Sequence, residues 1–556
     1  MPVTPTYPGV YIEEISSGVR TITGVATSIT AFIGRALTGP VNESIIINSY
    51  SDFERTFGGL WLGSTLGYAV RDFYLNGGSQ AIVIRLYHPD PEPEKKDKAS
   101  LTEKKDKASL SAGGVASSAG GVASSAGGSA VSASRVALEA AFPGAWGNNL
   151  RVRIDHQVME ETAQRYDLEI TDLFNLTVKN TKTGVTEQFL NVSMLPSARQ
   201  IDRVLQNESS LIRVMGTLGT TRPETHDPSL GQDIWKEDSS SSKVEADAKA
   251  TDGGLLVIGD FTGSEKEVAK QGLFALEQAD LFNLLCLPPY NDSGDVDPAL
   301  ITAAATYCEK RRAMLLIDAP ITWNTKEEAV AGIKVGVGTN SKNAAVFFPR
   351  LQQTNPLRGG QVETYASCGA IAGIFSRTDQ QRGVWKAPAG LDATVNGIVG
   401  LSVNLTDREN GELNPLGINC LRSFPASGRV VWGSRTLQGN DQLASEWKYI
   451  PVRRTALFLE ESLYRGTQWV VFEPNDEPLW AQIRLNLGAF MNNLFRQGAF
   501  QGTTPKEAYF VKCDKETTTQ NDINLGIVNI VVGYAPLKPA EFVIIKFQQM
   551  AGQLAT

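Results

Sequence analysis

Residues 383–390 have the sequence GVWKAPAG, and two related segments follow, LNPLGIN at 413–419 and RVVWGSRTL at 429–437. All three combine glycine with bulky apolar residues. None of them places a nucleophile beside a base or brings two carboxylates together. These segments are therefore not typical of a catalytic centre, and they indicate a structural role.

The chain before these segments has an α/β pattern. Apolar runs typical of buried strands lie at 281–287, 313–318 and 344–348. Between them, Asp297 followed by proline is typical of a helix start, and Thr325 opens a capping-box pattern. Strands about 30 residues apart with helices between them predict βαβ units and a partly parallel sheet. The predicted fold class is α/β, mixed with α+β features.

The first 88 residues show a similar alternation. Strands are predicted at 25–34, 44–48 and 81–86 from their content of Val, Ile and Thr. A helix is predicted to begin at Ser51, and a second is predicted over Leu66–Leu75, where an Asn-Gly-Gly sequence provides a stop.

A low-complexity segment interrupts this pattern at 89–134. The sequence EKKDKASL at 94–101 recurs at 103–110, and SAGGVAS is also repeated. Short polar repeats cannot bury a core, so we predict a solvated surface linker, with a docking segment as the alternative. Residues 135–250 then alternate apolar and polar positions, which predicts a β-rich domain that ends in a polar loop at 237–251.

The composition limits the possible functions further. The chain has 556 residues, enough for about two to four domains, and its net charge of −8 argues against a nucleic-acid binder. Its five cysteines are odd in number and widely spaced, and it has only three histidines. We therefore expect reduced thiols, no metal site and no cofactor. Neither a signal peptide nor an apolar run of roughly 18 residues is present, so we expect folding in the cytoplasm and no membrane insertion.

Several features that enzymes use have simpler interpretations in this sequence. Residues 58–65 have the glycine spacing of a phosphate-binding loop without its lysine, which favours a plain glycine turn. Asp318 ends a strand with no histidine or lysine nearby, which favours a loop-capping role. Cys368 has no neighbouring base and is predicted to be a small buried residue. The acidic pairs at 460–461 and 476–477 point in different directions on a helix, so surface charge is favoured. No catalytic residues are predicted.

Both ends of the chain carry strand-forming residues, although chain ends are usually polar. The residues concerned are Val10, Tyr11, Ile12, Ile15, Phe542, Val543, Ile544, Ile545 and Phe547. Such strands either complete a sheet within their own chain or add to the open sheet edge of a neighbouring subunit. The residues alone leave both alternatives open.

Two elements are predicted just before the C-terminus. Trp480, Ile483, Leu487 and Leu494 recur at helical spacing and predict an amphipathic helix over 479–497. The segment 523–534 that follows is strand-like in composition.

As an ordered set, the three opening segments resemble those of contractile tail sheath proteins, the family of myophage tails, contractile bacteriocins and extracellular contractile injection systems. Further segments resemble the same pattern, namely PGVYIEE at 8–14, GAWGNNL at 144–150, AGIFSRTD at 372–379, YIPVRR at 449–454 and GYAPLKPAEF at 533–542. The resemblance covers roughly 1–88 and 250–556, and it is weaker over 135–250.

The resemblance implies a structural protein without catalysis. Its subunits would stack as hexameric rings around a rigid inner tube and contract to drive the tube through a target membrane. The implied partners are further copies of the chain, an inner tube protein, and baseplate and terminator or cap proteins. Production would occur in the cytoplasm of the bacterium that assembles the particle. The terminal strands would be arms exchanged between subunits, and the 479–497 helix would hold the tube mainly by charge, with Arg484 and Arg496 as candidates.

We accordingly divide the chain into six parts: an N-terminal arm (1–24), a first core part (25–88), the linker (89–134), a β-rich outer insertion domain (135–250), a second core part with the tube-facing helix (251–535) and a C-terminal arm (536–556). Two alternatives belong to other classes. A cytoplasmic α/β enzyme with an accessory β domain would form a small oligomer and bind a small ligand. A non-contractile tail or baseplate component would not form long tubes alone.

Overall fold

The structure is a computed structural model that describes residues 21–89, 109–111, 136–226, 233–236, 240–243, 250–290 and 294–546. Val10, Tyr11, Ile12, Ile15 and Phe547, which are among the predicted arm residues, lie outside the described residues.

The strands of the described residues are β1 (Thr30–Gly34), β2 (Ile45–Ile47), β3 (Ala81–Arg85), β4 (Ser109–Ser111), β5 (Ala137–Ala140), β6 (Leu150–Asp155), β7 (Leu173–Asn180), β8 (Thr186–Ser193), β9 (Ile212–Val214), β10 (Ser242–Lys243), β11 (Leu284–Cys286), β12 (Met314–Asp318), β13 (Ala344–Phe348), β14 (Leu351–Asn355), β15 (Gln361–Tyr365), β16 (Gly400–Leu401), β17 (Ile418–Phe424), β18 (Gly428–Val431), β19 (Tyr509–Lys512) and β20 (Val531–Tyr534). The α-helices are α1 (Tyr50–Phe57), α2 (Leu66–Leu75), α3 (Glu160–Arg165), α4 (Ile201–Glu208), α5 (Ile258–Phe261), α6 (Ser264–Ala269), α7 (Pro298–Lys310), α8 (Lys326–Val335), α9 (Cys368–Arg382), α10 (Asp407–Leu413), α11 (Ile450–Gly466), α12 (Glu477–Arg496), α13 (Pro505–Ala508) and α14 (Gln520–Asn524).

The largest sheet has eight strands in the order β18-β17-β13-β12-β11-β1-β3-β2. Its six inner strands run parallel, and β2 and β18 join the two edges in antiparallel orientation. Because β1 pairs with both β3 and β11, strands from the first 88 residues lie beside strands from the second half. The predicted α/β class with a partly parallel sheet is confirmed.

Apolar layers cover both faces of this sheet, as the strand alternation requires. Along β1, Ala31 and Ile33 belong to one buried cluster, which includes Leu300 of α7. Phe32 belongs to the opposite cluster, where its ring lies 5.6 Å from that of Phe73 in α2. Two faces buried in this way give a three-layer arrangement with the sheet in the middle.

Several helix boundaries follow the local capping patterns. Asp297 caps α7 by accepting a hydrogen bond from a backbone N–H, and Thr325 and Glu328 form the predicted capping box of α8. α2 has the predicted bounds. α1 begins at Tyr50, one residue before the predicted start, because the side chain of its N-cap Ser49 accepts the Asp52 N–H.

The part of the chain over 136–243 is rich in strands. β10, β6, β7 and β8 form one antiparallel sheet, and β4, β5 and β9 form another. Two predictions are wrong in detail. Ser109–Ser111 of the predicted linker pairs with β5, and Ser242–Lys243 of the predicted loop pairs with β6. In both places the backbone hydrogen bonds of a sheet edge order a short segment whose own composition has little preference for a strand.

A smaller unit lies near the C-terminus, where α12 packs on the hairpin of β19 and β20. Its core contains Ile483, Leu487 and Met491 of the helix together with Ile22 from the start of the described chain. The prediction of a strand over 523–534 is wrong in its first half. α14 forms over Gln520–Asn524, because Thr519 and Asp522 make a capping box that starts a helical turn.

Candidate functional site

The C-terminal segment leaves the fold at Glu541, which a buried arginine holds. Arg435 is fully buried, and its Nε and Nη2 atoms donate to the two carboxylate oxygens of Glu541 at 2.7 and 2.6 Å. Its Nη1 donates to Asp441 Oδ1 at 3.0 Å. Asn414 Nδ2 and Tyr449 Oη also donate to the Glu541 carboxylate, at 2.9 and 3.1 Å. A buried charge needs such partners, so this contact determines where the segment leaves the fold.

The charges of this contact are stable at neutral pH. Burial alone would raise the pKa of Glu541, but the hydrogen bonds from Arg435 and Asn414 outweigh burial and hold it below its ordinary value. Burial alone would lower the pKa of Arg435, and the hydrogen bond to Glu541 instead raises it. Both groups therefore remain ionised in the pair.

The three glycine-containing segments 383–390, 413–419 and 429–437 meet around this exit. Trp385 and Lys386 come from the first, Asn414 from the second, and Trp432 and Ser434 from the third. With residues 537–542 they line a cleft of about 720 Å³, which we call the exit cleft. These segments therefore form walls around the emerging chain.

Asn419 connects these segments to the main sheet. Its Nδ2 donates to Val346 O in β13 at 3.1 Å and to Arg435 O at 2.7 Å, and its Oδ1 accepts from Arg435 N at 2.6 Å. A Cβ on Gly433 would stand 2.8 Å from the Asn419 Cα, so only glycine permits this approach. No role was predicted for Asn419, Arg435 or Glu541. Polar residues inside otherwise apolar strand patterns could have indicated that these three side chains are buried and paired.

Beyond Glu541 the described chain is apolar and exposed. The side chains of Phe542, Val543, Ile544 and Ile545 are 73%, 80%, 83% and 80% exposed. They form no strand in the single chain, because no sheet edge within the described residues pairs with them.

The N-terminal segment is attached to the fold by a buried ion pair. Arg454 Nη2 and Asp379 Oδ2 are 2.6 Å apart, and both side chains are only 3% exposed. Thr27 bonds to both, since its hydroxyl donates to Asp379 at 2.7 Å and its carbonyl accepts from Arg454 at 2.8 Å. Residue 27 is thereby fixed between α9 and α11.

From Thr27 the chain runs along α11 towards the C-terminal end of that helix. Val25 N donates to Ser462 Oγ at 3.2 Å, and Ile22 packs against Gly466, the last residue of α11. Tyr449, which contacts Glu541, is the N-cap of the same helix. The N- and C-terminal exits therefore lie at opposite ends of α11.

A short sheet with open edges lies beside α11. β19 and β20 pair with each other, and within the described chain no third strand joins them. A groove of about 410 Å³ separates β20 from α11 and is lined by Leu459, Leu463, Ile530, Val532 and Tyr534, among others. A two-stranded sheet is marginal by itself, and its free edges are able to accept a further strand. We call this groove the strand groove.

Residues 263–437 match the phage tail sheath protein central domain, and 443–550 match the phage tail sheath C-terminal domain, together slightly more than half of the chain. The chain belongs to the phage tail sheath family. A putative prophage major tail sheath protein of Pseudomonas aeruginosa (strain UCBPP-PA14) is 27% identical over 305 residues, which are 53% of this chain and 71% of that protein.

Solved structures of sheath proteins share the fold. The helical sheath of the anti-feeding prophage (AFP) in its contracted state matches with a TM-score of 0.52 and 22% identity, over 98% of this chain and 100% of that one. The PVC sheath complex of an extracellular contractile injection system, also contracted, matches with a TM-score of 0.53 and 19% identity, over 99% of both chains. This chain is thus a structural sheath subunit of a phage tail or tail-like particle, and its relatives are structural proteins and not enzymes.

The two candidate tube-contact residues of this sheath protein lie far apart on α12. Arg484 donates to Glu477 Oε1 at 2.6 Å and to the Cys513 carbonyl, so it joins the helix to the end of β19. Arg496 is exposed and forms no ion pair within the described residues. Twelve residues of helix separate them by about 18 Å. The structure does not bring Arg484 and Arg496 into one site.

The residues considered for catalysis have structural roles in this sheath protein. Asp318 Oδ1 accepts the N–H groups of Ser367 and Cys368 at 2.5 and 2.8 Å, so it caps the start of α9, where a loop-capping role was predicted. Cys368 is buried, and its hydrogen bond with Cys286 together with burial raises the pKa of its thiol well above the ordinary value. The described residues contain no cluster of three or more His, Cys, Asp or Glu side chains placed to hold a metal.

One acidic residue is placed differently from the prediction. Glu461 was predicted to be surface charge, but it is buried and accepts hydrogen bonds from Arg312 and Arg465, each at 2.7 Å. The prediction is wrong because the buried side of α11 also carries this carboxylate, and two arginines compensate its charge. Its neighbour Glu460 is exposed and pairs with Arg453. Among the helices of the described residues, none is both long and apolar enough to cross a membrane.

Proposed function

We propose that this sheath subunit polymerises as stacked hexameric rings around an inner tube and contracts to drive that tube through a target membrane. Its terminal segments would exchange strands between neighbouring copies. The observation that carries the proposal is the exposed apolar run Phe542–Ile545, which directly follows an exit held by the buried Arg435. The likeness to AFP and PVC sheaths, both named as contracted states, supports a contractile assembly.

The strand groove is the receiving site in this scheme. It offers the edge of β20 for backbone hydrogen bonds and the apolar side chains of α11 for alternate residues of an added strand. Phe542, Ile544 and their neighbours supply β-branched and aromatic side chains, which suit a pleated, half-buried position. Binding of Phe542–Ile545 in the strand groove of a neighbour would also bury these four exposed side chains, and this apolar burial would stabilise the association.

Anchored exits make such exchange compatible with large movements. A strand paired with a neighbour is held by directional hydrogen bonds, whereas the residues between the strand and the exit are free to rotate. Because the exits lie at opposite ends of α11, each subunit would be linked to different neighbours on two sides. Rigid cores then slide past one another during contraction, and the lattice stays connected.

The inner tube would lie against the solvent face of α12. Of the two predicted arginines, Arg496 is available for an acidic tube surface, whereas Arg484 already binds Glu477. Baseplate and terminator or cap proteins would bind the open ends of the tube, and assembly would take place in the cytoplasm of the producing bacterium. An exposed arginine contributes modestly by itself, so repetition around each ring would supply the affinity.

Negative-stain electron microscopy of the full chain expressed alone tests the proposal. We expect striated tubes with six-fold end views. Ile544→Pro should abolish them, because proline removes a backbone donor and distorts the added strand, whereas the matched Ile544→Val should assemble normally. Beginning the chain at Thr21 should also abolish them. Monodisperse monomers of the wild-type chain, or intact tubes from Ile544→Pro, would contradict the proposal.

The tube contact has a separate test. Co-expression with the inner tube protein and affinity purification of the complex should show less tube protein bound to Arg496→Glu than to the wild type. Lys182→Glu is the matched control, because it reverses the charge of an exposed residue outside α12. Equal retention in all three chains would exclude Arg496 from the tube contact.

A further inference from the structure

We infer that the exit cleft is a binding site for an acidic peptide segment, namely the Glu13–Glu14 region of a second copy of this chain. The inference rests on the proposed arm exchange and assigns a specific receptor to one part of the N-terminal arm. Its basis is the charge of the cleft, two buried polar atoms without partners, and the positions of the two exits.

The exit cleft is cationic, although the whole chain has a net charge of −8. Arg382, Lys386 and Lys538 line it, and none of them forms an ion pair within the described residues. Lys386 Nζ donates only to backbone, to Ala387 O at 2.7 Å and Ala389 O at 3.3 Å. The one acidic residue of the lining, Glu541, is neutralised by Arg435. Three uncompensated cations around one concave site select an anionic ligand.

The same cleft contains buried polar atoms that have no hydrogen-bond partner among the described residues. They are Ser434 Oγ, on a side chain only 8% exposed, and Asn410 Oδ1. Buried polar atoms are nearly always hydrogen-bonded, so such atoms in a cleft point to a ligand that completes them. The Ser434 hydroxyl is able to donate to a carboxylate, and Asn410 Oδ1 is able to accept a backbone N–H.

The remaining walls suit a peptide better than a small anion. Trp385 and Trp432 are half-buried and present aromatic surface to the cleft, whose volume of about 720 Å³ greatly exceeds that of a carboxylate or phosphate. The segment around Glu13–Glu14 has the matching composition, since Ile12 and Ile15 flank the two acids. The cations would receive the acids, and the tryptophans would cover the flanking apolar side chains.

The positions of the exits favour a second copy over the chain's own N-terminus. Ile22 lies at the C-terminal end of α11, whereas the exit cleft lies at its N-terminal end, 17 residues or about 25 Å away. The eight residues from Ile22 to Glu14 span at most about 29 Å when fully extended. Covering that distance after reversing direction would take about seven of these residues and leave about one for the turn.

Cysteine cross-linking in the full chain tests the assignment. All five native cysteines are buried, so they give little background. We expect a mixture of Glu13→Cys and Lys538→Cys chains, assembled and mildly oxidised, to yield a disulfide-linked dimer that neither chain yields alone. A mixture with Lys182→Cys, an exposed position on the turn after β7, should yield at least about tenfold less. No dimer in the mixture, or an internally linked monomer from the double variant, would overturn the inference.

A charge exchange tests the role of the acids directly. Arg382→Glu with Lys538→Glu, or Glu13→Lys with Glu14→Lys, should each lower the yield of tubes at limiting concentration by about three- to tenfold, as expected for two surface-accessible ion pairs. Combining all four changes should restore the yield to within about threefold. Failure of the combination to restore assembly would contradict the inference. If wild-type tubes form but no cross-link appears, only the cleft assignment fails, whereas tubes from Ile544→Pro would show that arm exchange itself fails.

Discussion

Replacing Glu541 by glutamine tests how firmly the C-terminal exit is held. Removing one partner of a buried ion pair typically destabilises by about 3–5 kcal/mol. Here Arg435 retains Asp441, the Glu541 side chain is 18% exposed, and glutamine keeps an acceptor for Tyr449 or Asn414. We therefore expect a loss of about 2 kcal/mol in the free energy of opening the segment, which corresponds to about thirtyfold more of the opened state.

Chymotrypsin cleavage of the unassembled full chain measures this change. Leu537 lies in the exit cleft and is cleaved only when the segment opens, and the cleavage rate follows the opened population when closing is fast. Phe542 is exposed in the closed state, so cleavage after it provides an internal reference. Glu516→Gln, at an exposed position, is the matched control. The reasoning would be refuted if the rate of cleavage after Leu537, divided by the rate after Phe542, differed by less than about twofold between Glu541→Gln and the wild type.

Acid should weaken the same contact. Because the pKa of Glu541 in the folded chain lies below its ordinary value, the pair stabilises fully above pH 4.5 and loses that contribution as the pH falls through the lowered pKa. Pepsin cleavage after Leu537, relative to Phe542, should therefore increase with acidity below about pH 4. The ratio should stay flat in Glu541→Gln, and equal slopes in both chains would assign the effect to other groups.

Two further predictions concern the core. Gly369→Ala should lower the free energy of unfolding by about 1–3 kcal/mol, because its Cβ would stand 2.1 Å from the Ala69 carbonyl oxygen of α2. Gly488→Ala, a helical site with open space, should instead raise it by up to about 1 kcal/mol, and thermal unfolding that ranks these two variants in the opposite order would contradict the packing of α2 on α9. Asp379→Asn should lower it by about 3–5 kcal/mol, since Arg454 would stay buried without its carboxylate. A thermal midpoint unchanged from wild type would show that this pair is not buried in solution.

Features that depend on neighbouring residues were predictable from the sequence. The starts of α7 and α8 follow from capping residues within one turn, the end of α2 follows from the Asn-Gly-Gly sequence, and β12 and β13 follow from short apolar runs. The amphipathic helix α12 (Glu477–Arg496) forms within two residues of the predicted bounds 479–497, because its apolar residues recur at helical spacing over its whole length. The resemblance to sheath proteins, carried by an ordered set of motifs, is confirmed by the family match.

Features that depend on distant partners were not predictable in the same way. Phe542–Ile545 has the composition of a strand, yet a strand forms only when an edge pairs with it, and no edge does so within the described chain. Glu461 has the composition of a surface site, but two arginines from other segments or turns compensate its burial. In both cases the structure that a residue adopts is stabilised by its contact with a distant partner, and not by its own preference for a strand or for the surface.

The sequence by itself determined the α/β class and the order of the elements, because the apolar period and the capping residues act over a few neighbouring positions. It also showed no catalytic pattern of residue types. Only the tertiary structure decided that Arg435 meets Glu541, 106 residues later in the chain, and that Asn419 holds Arg435 in place. A buried ion pair stabilises only when its geometry is complete, and that geometry depends on how the main sheet positions segments remote in sequence. The same sheet places the two chain exits at opposite ends of α11, a relation that local periodicity does not encode.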